Sequence, residues 1–167
     1  MELPEQLLGL SRRIAGAGDG GEASLRRAVS TAYYAVFHLL TTSAAQRLAP
    51  VQPEGLWSRL CRMFDHASVD DTCRLFSSGR LRGFGEGFIT HPVEAGLTNF
   101  AHSFSELREL RMAADYDLSF TPTSIWATAA IELAEQVFQD WESVKNTPNA
   151  AVFMMALAFP RLLARRR

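Results

Sequence analysis

A chain of 167 residues, 47% hydrophobic and 21% charged, is long enough for one domain with a full apolar core and short for two. Its formal net charge of −1 supplies no general field to gather nucleic acid, and no apolar run reaches the roughly eighteen residues of a membrane span. The two cysteines, Cys61 and Cys73, make neither a disulfide framework nor a zinc site, and idle thiols in a reducing cytoplasm are expected.

The N-terminal "MELPEQLLGLSRR" lacks the basic start and apolar run of a secretory signal, so a cytoplasmic protein is expected. A first helix is predicted from Pro4 to Ala17, ended by "GAGDGG". A second, from Glu22 to Leu48, is apolar almost all round, with Leu25, Val29, Ala32, Val36 and Leu40 on one side and Tyr33 and Phe37 beside them. Such a helix is normally packed on several sides, and here it is expected to be central. The prolines and glycine of "APVQPEG" stop it. A third segment, Leu56 to Phe76, is expected to break near "HASVDD", with Ser68 or Asp70 as the cap of its second piece.

Next comes "SSGRLRGFGEGFITHP", which reads as a loop. Its Gly-x-Gly-x-Gly has no strand before it and so is no nucleotide fingerprint; Arg80 and Arg82 are its candidates for contact with phosphates. A fourth helix is predicted from Val93 to Tyr116. A fifth, from Ser124 to Lys145, carries a stripe of Ile125, Ala129, Leu133, Val137 and Trp141. "NTPN" breaks that helix, and a last apolar helix from Ala150 leads into a basic tail ending in "RLLARRR". This segment, 150–167, suits packing, dimerisation, or an anionic surface, and its terminal arginines suit the negative end of a helix dipole. Helical periodicity dominates and alternating strand patterns are hard to find, so the fold class expected is all-α, a single-domain bundle of about five to six helices over 1–167.

The fourth helix holds the feature that bears most on function. At about 100° per residue, Leu97, Phe100, Ala101, Phe104 and Leu107 share one arc roughly 120° wide, and His102, Glu106, Glu109 and Ala113 lie opposite. Arg108, Arg111 and Asp115 then fall inside the apolar arc. A buried guanidinium must be paired or must look into a cleft. Arg111 and Asp115 can pair at i,i+4, which leaves Arg108 to find a partner elsewhere. Two outcomes are open: an ion network tying helices together, or a groove where arginines meet phosphate.

"RRAVSTAYYAVFHLL" (Arg26 to Leu40) followed by "LRELRMAADYD" (Leu107 to Asp117) resembles the HEPN superfamily, in particular the branch with an Arg-x-x-Ala-Asp-Tyr sequence after a "YYAxFH" helix. The resemblance implies a small helical bundle, commonly a homodimer, of the toxin–antitoxin or defence kind. Many such proteins are metal-independent ribonucleases with an Arg, four to six residues, then a His. The arginine steadies phosphate charge and the histidine moves the proton. Here Arg111 matches the arginine, but Tyr116 stands where His belongs, and a phenol is a poor base at neutral pH. Arg59 and His66 have the spacing in another helix, and His102 and Arg108 have the reverse order. His38, one turn after Tyr34, can supply an imidazole in space.

The candidate catalytic set is thus Arg111, Asp115, Tyr116 and His38, and the candidate binding set Arg108, Arg111, Tyr34, Arg80 and Arg82. No metal or cofactor is expected. The expected function is binding of RNA, a nucleotide or a partner protein through an arginine-lined groove, with ribonuclease activity open. The alternative is a non-enzymatic dimeric interaction module whose Arg/Asp network is structural. The likeness also implies a nucleotidyltransferase antitoxin as partner, for which Tyr116 is the residue to be modified.

Overall fold

A computed structural model describes residues 2–17, 21–50, 55–81 and 87–159. Among them are seven helices and no strand: α1 (Leu3–Gly16), α2 (Glu22–Leu48), α3 (Leu56–Cys61), α4 (His66–Ser77), α5 (Ala95–Tyr116), α6 (Ser124–Val144) and α7 (Pro148–Ala158). The chain is an all-α helical bundle. No described helix is long and apolar enough to cross a membrane.

The chain divides into two compact units. The first comprises the residues up to Leu39 together with Ser103–Gln139, and the second Leu40–His102 together with the chain from Asp140 onward. In the first unit, α1 starts with a proline in its first turn, where the missing N–H costs nothing. It buries Pro4, Leu8 and Ser11, and the Ser11 hydroxyl donates to the Ala28 carbonyl of α2 at 2.7 Å. Leu25, Val29, Ala32, Tyr33, Val36 and Phe37 of α2 are all buried, as its all-round apolar sequence predicts. Its end at Leu48 follows from Pro50, which disfavours helical backbone at Ala49.

The seven helices exceed the expected five to six because the third predicted segment is two separate helices. Its break lies at Asp65, whose carboxylate accepts from the backbone N–H groups of Ala67 (3.0 Å) and Ser68 (2.9 Å). The cap of α4 is therefore Asp65. Ser68 already lies inside the helix, and Asp70 is buried and paired with Arg74 at 2.9 Å. A hydrogen bond with the Ser68 side chain, and then those from the backbone N–H groups, hold the Asp65 carboxyl below its usual range. Helix α7 likewise starts earlier than Ala150. Thr147 caps it by accepting from Ala150 N–H at 3.2 Å, with a proline in the first turn, so "NTPN" ends one helix and begins the next.

The predicted stripe on α6 is corrected as well. Ile125 is 78% exposed, whereas Ala127, Ala130, Ile131, Ala134, Val137, Trp141 and Val144 are buried. A walk in steps of four drifts by about 40° per step on a helix of 3.6 residues per turn, or about 160° from Ile125 to Trp141. The stripe therefore begins on the wet side and ends on the dry one.

In the second unit, α7 packs on α4 through Phe153, whose ring is 4.9 Å from Phe76, edge to face. Phe100 of α5 lies 5.8 Å from Phe153 and 5.4 Å from Trp141. Met154 is buried, so the apolar run of α7 serves packing. The basic tail beyond it lies outside the described residues. Cys61 is half-buried and Cys73 buried, both as free thiols.

Candidate functional site

In the first unit, α5 continues its apolar face with Phe104 and Leu107, both fully buried, and Phe104 sits 5.6 Å from Tyr33. One turn further the same face carries Arg111. Its Nη2 donates to the hydroxyls of Tyr34 (3.0 Å) and Tyr116 (3.2 Å), and its Nε lies 2.7 Å from Asp115 Oδ2. That N–H is not aligned on the oxygen, so the contact is a close charge pair rather than a formed hydrogen bond. The guanidinium carbon stands 5.0 Å from the Tyr116 ring centroid, 5.5 Å from Tyr34 and 5.9 Å from Tyr33. Ser30 of α2 donates to Asp115 Oδ2 at 3.1 Å. A carboxylate and three aromatic faces thus surround one cation, which keeps 12% of its side chain exposed.

Burial alone would lower the Arg111 pKa, but Tyr34, Asp115 and Tyr116 outweigh it and hold it above its ordinary value. The group is a cation at every accessible pH. Its Nη1 faces the Met112 thioether at 3.3 Å, a weak acceptor.

A second arginine, absent from the candidate sets, organises the same end of the unit. Arg26 Nη1 donates to the carbonyls of Ala114 (2.8 Å) and Asp117 (3.0 Å), and Nη2 to that of Phe120. Its Nε donates to Glu22 at 2.8 Å, and its guanidinium carbon lies 5.9 Å from the Phe120 ring centroid. The last turn of a helix leaves carbonyls without N–H partners and carries the negative end of the dipole. Arg26 answers both and fixes the turn into α6. Arg26, Ser30 and Tyr34 recur every four residues on α2, a polar line opposite the charged turns of α5, and that spacing is the signal that would have found it.

The remaining candidates fall elsewhere. The hydrogen-bond partners of Arg111 are Tyr34, Tyr116 and Met112, and His38 is not among them. His38 is half-buried with its ring 6.0 Å from Phe37, and burial lowers its pKa. Arg108 is half-buried. Arg80 is exposed just past α4, in the second unit, with its N–H on the Ser78 hydroxyl at 3.3 Å. Arg82 lies outside the described residues. Among the described residues no group of three His, Cys, Asp or Glu could hold a metal ion. A depression of about 670 Å³ between α1 and α6, lined by Arg12, Arg13, Glu135 and Phe138 among others, includes none of the candidate residues. No family model, curated protein or solved structure matches this chain.

Proposed function

We propose that this chain is a HEPN-like helical interaction module, without catalytic activity of its own, that engages a partner protein through the surface around Tyr116. The likeness of "AYYAVFH" and "ADYD" supports the HEPN assignment. One observation carries the non-catalytic reading: Arg111, the arginine that would face a scissile phosphate, spends its donors on two tyrosine hydroxyls and its charge on Asp115. A phosphate would have to compete with that neighbouring carboxylate for its charge. The phenols beside it are poor bases at neutral pH. In this reading the Arg111 cluster holds the end of α5 against α2 and presents Tyr116 outward, 64% exposed, where a nucleotidyltransferase partner of the toxin–antitoxin kind would find it.

A phosphate-binding or ribonuclease role is the second reading, favoured by the Nη1 group, whose acceptor is only a thioether. Incubating the protein and its Arg111→Ala variant with mixed RNA in EDTA, while recording melting curves for both, separates the two. The module reading expects no cleavage and a clear drop in the variant's melting temperature. Cleavage by the wild type that vanishes in a variant of unchanged melting temperature would establish the ribonuclease instead.

A further inference from the structure

Both arginines of this cluster turn inward and leave their carboxylate partners outside. Arg26 keeps 18% of its side chain exposed against 54% for Glu22, and Arg111 keeps 12% against 26% for Asp115. In both pairs the charge better exposed to solvent is therefore the negative one. Asp117 adds to it: the Ser119 hydroxyl (2.6 Å) and N–H (2.8 Å) bind its carboxylate and hold its pKa down. It also stands at the C-terminus of α5, where the helix dipole is already negative. Glu109, Met112 and Tyr116 share one outward stripe of α5 at i, i+3, i+7, which places a further carboxylate in line with two exposed apolar residues.

Large apolar side chains are exposed on the same elements as these acids. Met112 is 41%, Tyr116 64%, Leu118 96% and Trp126 46% exposed. Phe120 joins the turn to α6, its ring 5.9 Å from that of Trp126. Leu118 at the tip of the turn has almost its whole surface in water, so it contributes nothing to the core, and it stands two residues from exposed Tyr116 in the chain.

We infer that this surface docks a cationic amphipathic protein segment, its apolar side chains against Tyr116, Leu118 and Trp126 and its lysines or arginines against Glu109, Asp115 and Asp117. The inference rests on the interaction-module reading and adds the chemistry of the partner. Charge complementarity selects it: RNA or an anionic membrane would meet these carboxylates with repulsion, whereas a basic segment is steered toward them. An amphipathic helix laid against an apolar face is a common form for such a segment.

The test is fluorescence anisotropy of the intact protein with a labelled helical peptide of leucine and lysine, about 18 residues long, beside a twin with glutamate in place of lysine. The lysine peptide should bind at least about tenfold more tightly than its twin, and more weakly as salt screens the charges. Leu118→Ser should weaken binding several-fold at unchanged melting temperature, and so should Glu109→Gln combined with Asp117→Asn, which keeps an oxygen for Ser119. Equal binding of the two peptides, binding of neither, or no effect of Leu118→Ser overturns the inference and leaves the interaction module standing. Binding of single-stranded RNA that Arg111→Ala abolishes overturns both.

Discussion

Two joints in this molecule fix helix ends by different chemistry. In the second unit, Asn149 at the start of α7 accepts from Thr90 N–H at 2.8 Å and donates to the Thr90 carbonyl at 2.8 Å and to Glu94 at 2.9 Å. In the first, Arg26 and Arg111 hold the end of α5. The contrast follows from what each joint must satisfy. An irregular strip of backbone offers both a donor and an acceptor, and an amide matches both while staying neutral and 1% exposed. A helix C-terminus offers only carbonyls, so a group made entirely of donors fits it better. That cation must then be balanced by carboxylates, Glu22 and Asp115, which are more exposed than the arginines they pair with. At the Asn149 joint the carboxylate, Glu94, is instead bound by the amide itself.

Substitutions can break this comparison at several strengths. The largest effect is expected beside the neutral joint. Phe153→Ala empties a fully buried site against Phe76 and Phe100 and should cost about 3–5 kcal/mol in urea unfolding. Arg111→Ala should cost less, about 1–3 kcal/mol, because water reaches part of the pair and softens the loss of a partner for Asp115. Arg111→Lys sharpens the point: it keeps the charge for Asp115 but cannot fork to two phenols, so recovery of less than the full stability is expected. If lysine restores everything, the planar fork is irrelevant. Asn149→Ala should cost about 1–2 kcal/mol by stranding the Thr90 amide, and a change within error would show that water replaces it.

The smallest effect is a pH dependence. His38 is neutral where it is half-buried, with a pKa lowered by burial. The unfolded chain therefore binds a proton first as pH falls. The stability His38 contributes is present above its unfolded pKa and is lost as pH drops toward the lower folded value. Melting temperatures should decline between pH 7.5 and 5.5 more for the wild type than for His38→Gln. Equal declines would remove His38 from the account.

Much of the fold was legible because helical patterns are local. The bounds of α2 coincide with the predicted Glu22–Leu48, since no glycine or proline interrupts the span and Pro50 ends it. The pairing of Arg111 with Asp115 could likewise be read from a spacing of four. The partners of Arg26 could not, because they are backbone carbonyls around an irregular turn, where residue type leaves no periodic trace. The stripe of α6 failed for a geometric reason, as a step of four is not the helix period. The cap of α4 was placed too late because serine and aspartate inside a helix look like caps until the real one is known. The phenols around Arg111 were expected to face a ligand or the core, and the structure turns two of them onto the arginine itself.

Gly96 carries a different kind of consequence. A Cβ built there would stand 2.8 Å from Ser143 Oγ and 2.9 Å from Val144 Cγ1. The serine hydroxyl can rotate away, but Val144 is buried and β-branched, with little freedom to move. Every missense change of a glycine codon adds a Cβ. This one position therefore has no silent neighbours in protein space, and inheritance can keep it or damage it but cannot drift through it.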